Sequence, residues 1–340
     1  MAVSDADSVR EVKSATTDGL DRQLLHALAI DGRAPFRRIA PVLGVSDQTV
    51  ARRYHRLHST GSLQVLGRLD TRRSRRADWL IRLHCTPGAA MPIADALARR
   101  SDTSWVTIIS GGTEVLCVTQ TRTRQQRDEL LLDKLTRTSR VVSVAAHCVL
   151  HTFLGRPTPW SGILTALTPD QEDELRPSAD QPSPVTASEF GAQPGDEALL
   201  ELLARDGRAG YGELAAATGW SQSTVKRRLD HLRASGALYF DLDYDAALFG
   251  IEMTARLWMS VTPWKLAAVG AALAEHPETA FVGATTGPAN LTATVLCADA
   301  DALYDYLTMR VGRLRSVRSI ETTPIIRTVK RAGVPRRSAS

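Results

Sequence analysis

Asp21–Leu63 reads DRQLLHALAIDGRAPFRRIAPVLGVSDQTVARRYHRLHSTGSL, and Asp196–Leu238 reads DEALLELLARDGRAGYGELAAATGWSQSTVKRRLDHLRASGAL. The two stretches align without a gap at an offset of 175. Shared pairs include Leu24/Leu199, Asp31/Asp206, Gly32/Gly207, Arg33/Arg208, Gly44/Gly219, Ser46/Ser221, Thr49/Thr224, Val50/Val225, Arg52/Arg227, Arg53/Arg228 and Gly61/Gly236. So long a period is that of a domain pair rather than of a solenoid, so the chain is a tandem duplication of one two-part module.

The first part of each module has helical spacing. Leu24, Leu25 and Leu28 recur along one face after Asp18, a residue type that caps helix N-termini. Gly32 and Pro35 break that helix, and a short second helix covers about 36–43. Gly44 ends it as a left-handed cap would, and Ser46 then caps a third helix that runs to about Ser59. Short helix, tight turn and capped third helix form the helix-turn-helix pattern. With Val50 placed at the core and 100° per residue, Tyr54 and Leu57 fall on the inner face. Gln48, Thr49, Arg52, His55 and Arg56 fall outside, with Arg53 on the flank. In the second copy Val225, Leu229 and Leu232 face inward. Ser223, Thr224, Arg227 and His231 face out, with Arg228 on the flank. Polar donors near a helix N-terminus suit base edges, and arginines suit guanines and phosphates. The DNA-contacting residues expected are therefore Gln48, Thr49, Arg52, Arg53, Arg56, Ser223, Thr224, Arg227 and Arg228. The copies differ where bases would be read, with Gln48 against Ser223 and His55 against the acidic Asp230. The second head is expected to bind more weakly, or to a different half-site.

The periodicity then changes. Residues 79–85 alternate like a strand, 91–100 are helical, 105–110 and 115–121 are strands around Gly111-Gly112, 125–137 are helical and 141–153 form a last strand. Copy two repeats the order over 255–261, 264–276, 279–285, 291–297, 302–313 and 317–328. The order βαββαβ is the ferredoxin-like arrangement. The fold class expected is α+β, two copies of a helix-turn-helix domain followed by a ferredoxin-like βαββαβ domain. The boundaries are 18–64 and 65–154 for the first module, and 195–240 and 241–328 for the second. A Pro-rich extended linker spans 155–194, and residues 329–340 form a basic tail.

The 340-residue chain has room for about two to four domains. Its net charge of +5 is uneven: residues 1–155 carry 23 Lys+Arg against 15 Asp+Glu, and residues 156–340 carry 19 against 22. The basic half is the better match for a polyanion. No apolar run approaches the ~18 residues that span a bilayer, and the polar start MAVSDADSVREVK lacks a signal-peptide pattern, so a cytoplasmic protein is expected. Cys85, Cys117, Cys148 and Cys297 show no CxxC spacing and read as reduced core residues. On a strand His147 and His151 would lie about 13 Å apart with Cys148 on the opposite face, so they do not form a zinc site. No cofactor, metal site, Gly-rich phosphate loop or paired catalytic carboxylates is expected.

The motifs Asp-x-x-Leu-Leu, Asp-Gly-Arg, Gly-x-Ser-x-x-Thr-Val-x-Arg-Arg and Leu-x-x-x-Gly, followed by βαββαβ, resemble the Lrp/AsnC (feast/famine) transcription regulators. The resemblance covers nearly the whole chain, twice. It implies winged-type reading heads on double-stranded DNA, oligomer formation through the αβ domains (within or between chains), and a small-molecule effector such as an amino acid. The sensing turn of such proteins typically reads Thr-Gly-x-x-Asp. Here the matching turns hold Ser110, Gly111 and Glu114 in copy one, and Thr286, Gly287 and Asn290 in copy two, so the aspartate is replaced. These six are the candidate ligand contacts. The rival class is an enzyme similar to the sirohaem decarboxylases, which look like the same fold. The expected histidine and tyrosine cluster does not appear in the matching places, so a non-enzyme is favoured. The run Arg72, Arg73, Arg75 and Arg76 fits phosphates, or carboxylates in the rival reading.

Overall fold

The computed structural model describes residues 18–69, 78–100, 102–120, 139–155, 166–176, 193–331 and 334–335. The helix expected over 125–137 and the arginine run at 72–76 lie outside them. Head one comprises α1 (Gly19–Ile30), α2 (Phe36–Val42) and α3 (Asp47–Ser59). Asp18 and Asp21 form a reciprocal capping box at the start of α1. Leu24, Leu25, Leu28, Ile39, Val50, Tyr54 and Leu57 make one core. Burying each large side chain there contributes roughly 1.5–3 kcal/mol. Head two repeats this: α6 (Asp196–Arg205), α7 (Tyr211–Thr218) and α8 (Gln222–Ala234) close on Leu199, Leu203, Leu214, Val225, Leu229 and Leu232.

Between the two heads runs a ribbon that the helical reading did not contain. β1 (Leu63–Leu69) pairs antiparallel with β6 (Leu238–Tyr244), with Leu66 opposite Asp241. Those two residues are equivalent in the repeat, so a pseudo-twofold axis passes between them. Gly32 and Gly207 lie against this ribbon: a Cβ at Gly32 would meet Phe240 and Val65, and one at Gly207 would meet the Leu66 backbone.

Each αβ domain has the expected sheet. Copy one orders β2 (Asp78–Cys85), β3 (Thr103–Ile109), β4 (Glu114–Gln120) and β5 (Val141–Leu154) as β3-β4-β2-β5, with α4 (Ala90–Ala98) on one face. Copy two orders β7 (Met253–Val261), β8 (Thr279–Thr285), β9 (Leu291–Cys297) and β10 (Val317–Arg331) as β8-β9-β7-β10, with α9 (Leu266–Ala274) packed on it. Each last strand then joins the other copy: β5 pairs β8, and β10 pairs β3. Eight strands therefore close into a ring, and the two αβ domains pair within one chain. Leu80, Ile109, Leu116 and Trp258 pack between the two sheets.

Two boundaries differ from the sequence reading. β10 runs to Arg331 and is followed by β11 (Val334–Pro335), because the buried Lys330 ammonium donates to the Arg100 carbonyl (2.5 Å) just after α4 and to Thr103 Oγ1 (3.2 Å) at the start of β3. The linker holds a helix, α5 (Pro169–Leu175), capped by Thr168 and Gln171. Leu167 and Leu175 are buried in the core of head one, and Gln171 Nε2 donates to the Val42 carbonyl (2.7 Å). No helix among the described residues is long and apolar enough to cross a membrane.

Candidate nucleic-acid interface

α3 and α8 are positioned by the same local chemistry. Gly44 (φ 66) and Gly219 (φ 73) take the left-handed turn that re-aims the chain. Ser46 and Ser221 each accept the N3 amide, from Thr49 and Thr224, and also hydrogen-bond those threonine hydroxyls at 2.9 Å. Thr49 and Thr224 thus complete the caps, and the Ser223 hydroxyl likewise reaches Ser221 (2.9 Å). Gln48, Arg52 and His55 are exposed along the outer face of α3, and Ser223, Arg227 and Asp230 along that of α8. Arg52, Arg53 and Arg56 line one surface hollow.

The flank arginines are turned inward. Arg228 is 8% exposed and reaches Asp196 with Nε at 2.9 Å and Nη2 at 2.6 Å. Against the cost of burial, that guanidinium holds the Asp196 carboxyl below its ordinary value. Arg53 binds Asp18 (2.7 Å) and the fully buried Asp21 (2.9 Å), and Arg56 also pairs with Asp21. Expected on the DNA face, Arg53 and Arg228 instead tie the recognition helix to the first helix of its own head. A buried aspartate needs a partner, and the sequence signal was there: Asp21 and Asp196 recur in both copies.

A second constellation holds the heads together. Arg33 donates to the carbonyls of Gly207 (2.6 Å) and Ala209 (3.0 Å), while Arg208 donates to those of Gly32 (2.7 Å) and Ala34 (3.0 Å). Each guanidinium also lies over rings, Arg33 over Tyr211 at 5.4 Å and Arg208 over Phe36 at 4.5 Å. Burial lowers the pKa of both. This reciprocal latch explains the repeated Asp-Gly-Arg: the aspartate accepts the arginine's own amide, the glycine admits the ribbon, and the arginine crosses to the other head.

The two candidate sensing turns are tied into the fold. Ser110 (φ 53), Gly111 and Gly112 form a tight left-handed turn. Glu114 is buried, paired with Arg82 and 3.5 Å from His84. Thr286 accepts the Cys148 amide (2.9 Å), and its carbonyl contacts His147 Nδ1 (2.9 Å). A Cβ at Gly287 would meet the His147 ring. Both ends of the Asn290 amide bind the Val261 backbone at 2.8 Å.

Comparison with known proteins fits this geometry. The AsnC-type helix-turn-helix domain matches residues 18–58 and again 195–233, and the Lrp/AsnC ligand binding domain matches 254–335. The chain is 30% identical over 142 residues to an uncharacterized HTH-type transcriptional regulator of Pyrococcus abyssi, covering 42% of this chain and 89% of that protein. It is 28% identical over 136 residues to the HTH-type transcriptional regulator FL11 of Pyrococcus horikoshii, covering 40% of this chain and 89% of that one. Among solved structures, the siroheme decarboxylase NirDL matches with a TM-score of 0.59 at 12% identity, over 94% of this chain and 95% of that one. That likeness is one of fold alone.

Proposed function

The chain belongs to the Lrp/AsnC family of transcriptional regulators, and from that premise we propose that one copy is by itself a two-headed reader of an asymmetric DNA site. The observation that carries this is the Arg33/Arg208 latch with its β1/β6 ribbon, which fixes two recognition helices about one pseudo-twofold axis within a single chain. Heads related in this way address successive major-groove faces about 34 Å apart. Gln48, Arg52 and His55 read one half-site, while Ser223, Arg227 and Asp230 read the other. Asp230 repels phosphate but can accept from a cytosine amino group, so the half-sites differ in sequence and the second is bound more weakly. Arg56 adds phosphate attraction beside Arg52. Thr49 and Thr224 act through the caps.

The non-enzyme reading is supported by relatives named as regulators and by exposed Arg52 and Arg227. The full-length likeness to NirDL makes sirohaem turnover the control assay. The test is recovery of genomic fragments bound by the purified chain, with Arg52→Ala as the comparison. A motif enriched by the parent protein and lost by the variant supports the reading. Equal, motif-free recovery by both, together with sirohaem turnover, favours the enzyme.

A further inference from the structure

The loops of the second αβ domain are sorted by charge. At one end stand Glu252, Glu275, Glu278, Asp299 and Asp301, where the Glu252 amide donates to the Ala298 carbonyl (3.0 Å) and the Leu296 amide to the Glu278 carbonyl (2.8 Å). At the other end the turns Pro263–Lys265, 286–290 and Val311–Arg313 come together. There the Thr262 amide donates to the Ser316 carbonyl (3.1 Å), and Asn290 holds the Val261 backbone. No acidic residue occurs from 262 to 274, from 286 to 290 or from 309 to 320. This end carries Lys265, Arg313, Arg315 and Arg318 instead, the three arginines exposed, with Arg318 Nε 3.3 Å from Thr262 Oγ1. A charge separation of this kind draws a polyanion to one end of the domain. β10 starts at that end, with Val317 opposite Val261, and finishes with Arg331 bonded to the Tyr244 carbonyl of the ribbon. The basic end therefore points away from the heads by about 45 Å of strand.

Among these cations stands Trp264, 78% exposed, with Lys265 Nζ 4.6 Å from its ring centroid. A ring left in water contributes no burial to the fold, and the module does not need it, since its counterpart in copy one is Gly88. Ala89, Ser139 and Val142 likewise stand where copy two has Lys265, Arg315 and Arg318. The aromatic face and three of the four cations are thus particular to this copy.

We propose that this end of the second αβ domain binds single-stranded nucleic acid, with an unpaired base stacked on Trp264 and the flanking phosphates held by Lys265, Arg313, Arg315 and Arg318. A duplex offers phosphates but keeps its base faces stacked inside, so it leaves the ring unused. An unpaired strand uses both the cations and the ring. The surface is remote from α3 and α8, so it stands or falls independently of what the heads read.

The full chain is titrated into short labelled oligothymidylate and oligouridylate and followed by anisotropy over a salt series. Both strands should bind. Trp264→Ala should weaken binding about fivefold or more with the salt slope unchanged, whereas Trp264→Tyr should keep it within about twofold. Arg313→Ala with Arg315→Ala should flatten the salt slope by about 1.4. Arg52→Ala with Arg227→Ala, which impairs the heads, should leave single-strand binding as it is. All these side chains are exposed, so the variants should keep the parent's Tm. Tighter binding of oligouridylate makes RNA the source of the strand, tighter binding of oligothymidylate makes it melted DNA, and equal binding means that only base and phosphate are read. The proposal is overturned if neither strand binds, if Trp264→Ala changes nothing, if Trp264→Tyr loses as much as Trp264→Ala, or if the head variant abolishes binding. It is also overturned if a duplex, phosphatidylserine vesicles or polyglutamate bind with the same loss on Trp264→Ala, because the surface would then read negative charge rather than bases.

Discussion

Arg52 and Arg53 are adjacent in sequence and opposite in role. Arg52 stands exposed on the outer face of α3, whereas Arg53 is held by Asp18 and Asp21. Arg52→Ala should weaken operator binding by about 1–3 kcal/mol if it reads a base. A gel-shift titration over a salt series checks this, and unchanged affinity and salt slope would remove α3 from the interface. At the matching flank position of copy two the pair is buried. Arg228→Ala leaves Asp196 uncompensated and should cost about 3–5 kcal/mol of stability. Arg53→Ala, whose Asp18 partner is half exposed and whose buried Asp21 partner keeps Arg56, should cost less. Urea unfolding compares the two, and equal losses would contradict the difference in burial. The Asp196 carboxyl is held below its unfolded value, so the pair's contribution is present above about pH 4 and fades as pH falls through the lowered folded value. A 100° wheel places residues on a face, but it cannot tell an arginine facing solvent from one bent back onto an aspartate 32 positions earlier. For that reason Gln48, Arg52, Ser223 and Arg227 were legible as outward, while Arg53 and Arg228 were not.

At the scale of elements, α5 shows how composition misleads. Prolines through the linker read as extended chain, but Pro169 occupies the first turn of a helix, where its missing N–H costs nothing. The legible clue was Thr168 followed three residues later by Gln171, a capping box. The helix docks on head one through Leu167, Leu175 and the buried His26, whose Nδ1 accepts the Leu167 amide at 3.2 Å. The acceptor must be unprotonated. Burial lowers the His26 pKa, against the pull of Glu172 at 3.5 Å. The folded value therefore lies below the unfolded one near 6.5, so docking is firm above that pH and weakens as pH falls below it. Hydrogen exchange at the Leu167 amide, corrected for intrinsic rates, should show protection dropping between pH 7 and pH 5. Protection that stays flat across that range would mean the histidine does not hold the helix.

Across the whole molecule, the duplication was readable because its residues recur, and the sheet order followed from βαββαβ. What the sequence hid was which copy pairs with which: β1 meets β6, β5 meets β8 and β10 meets β3, all contacts between residues far apart in the chain. Those pairings place the heads symmetrically in backbone and asymmetrically in side chains, which separates geometry from reading. If the latch and ribbon set the geometry, the base preference of each half-site belongs to its own outer face. Copying the reading residues of head one onto head two, Ser223→Gln with Asp230→His, should then turn an asymmetric preferred site into an inverted repeat with unchanged spacing. Both positions are exposed and neither joins the latch, so the fold should tolerate the change within about 0.5 kcal/mol. Removing Asp230 also removes a negative charge facing the phosphates, so total affinity should rise and the salt dependence should steepen slightly. Selection from random duplexes reads both effects at once. An unchanged asymmetric motif would show that specificity comes from elsewhere on the heads, and a changed spacing would show that the side chains of α8, rather than the Arg33/Arg208 latch, set how far apart the two helices stand.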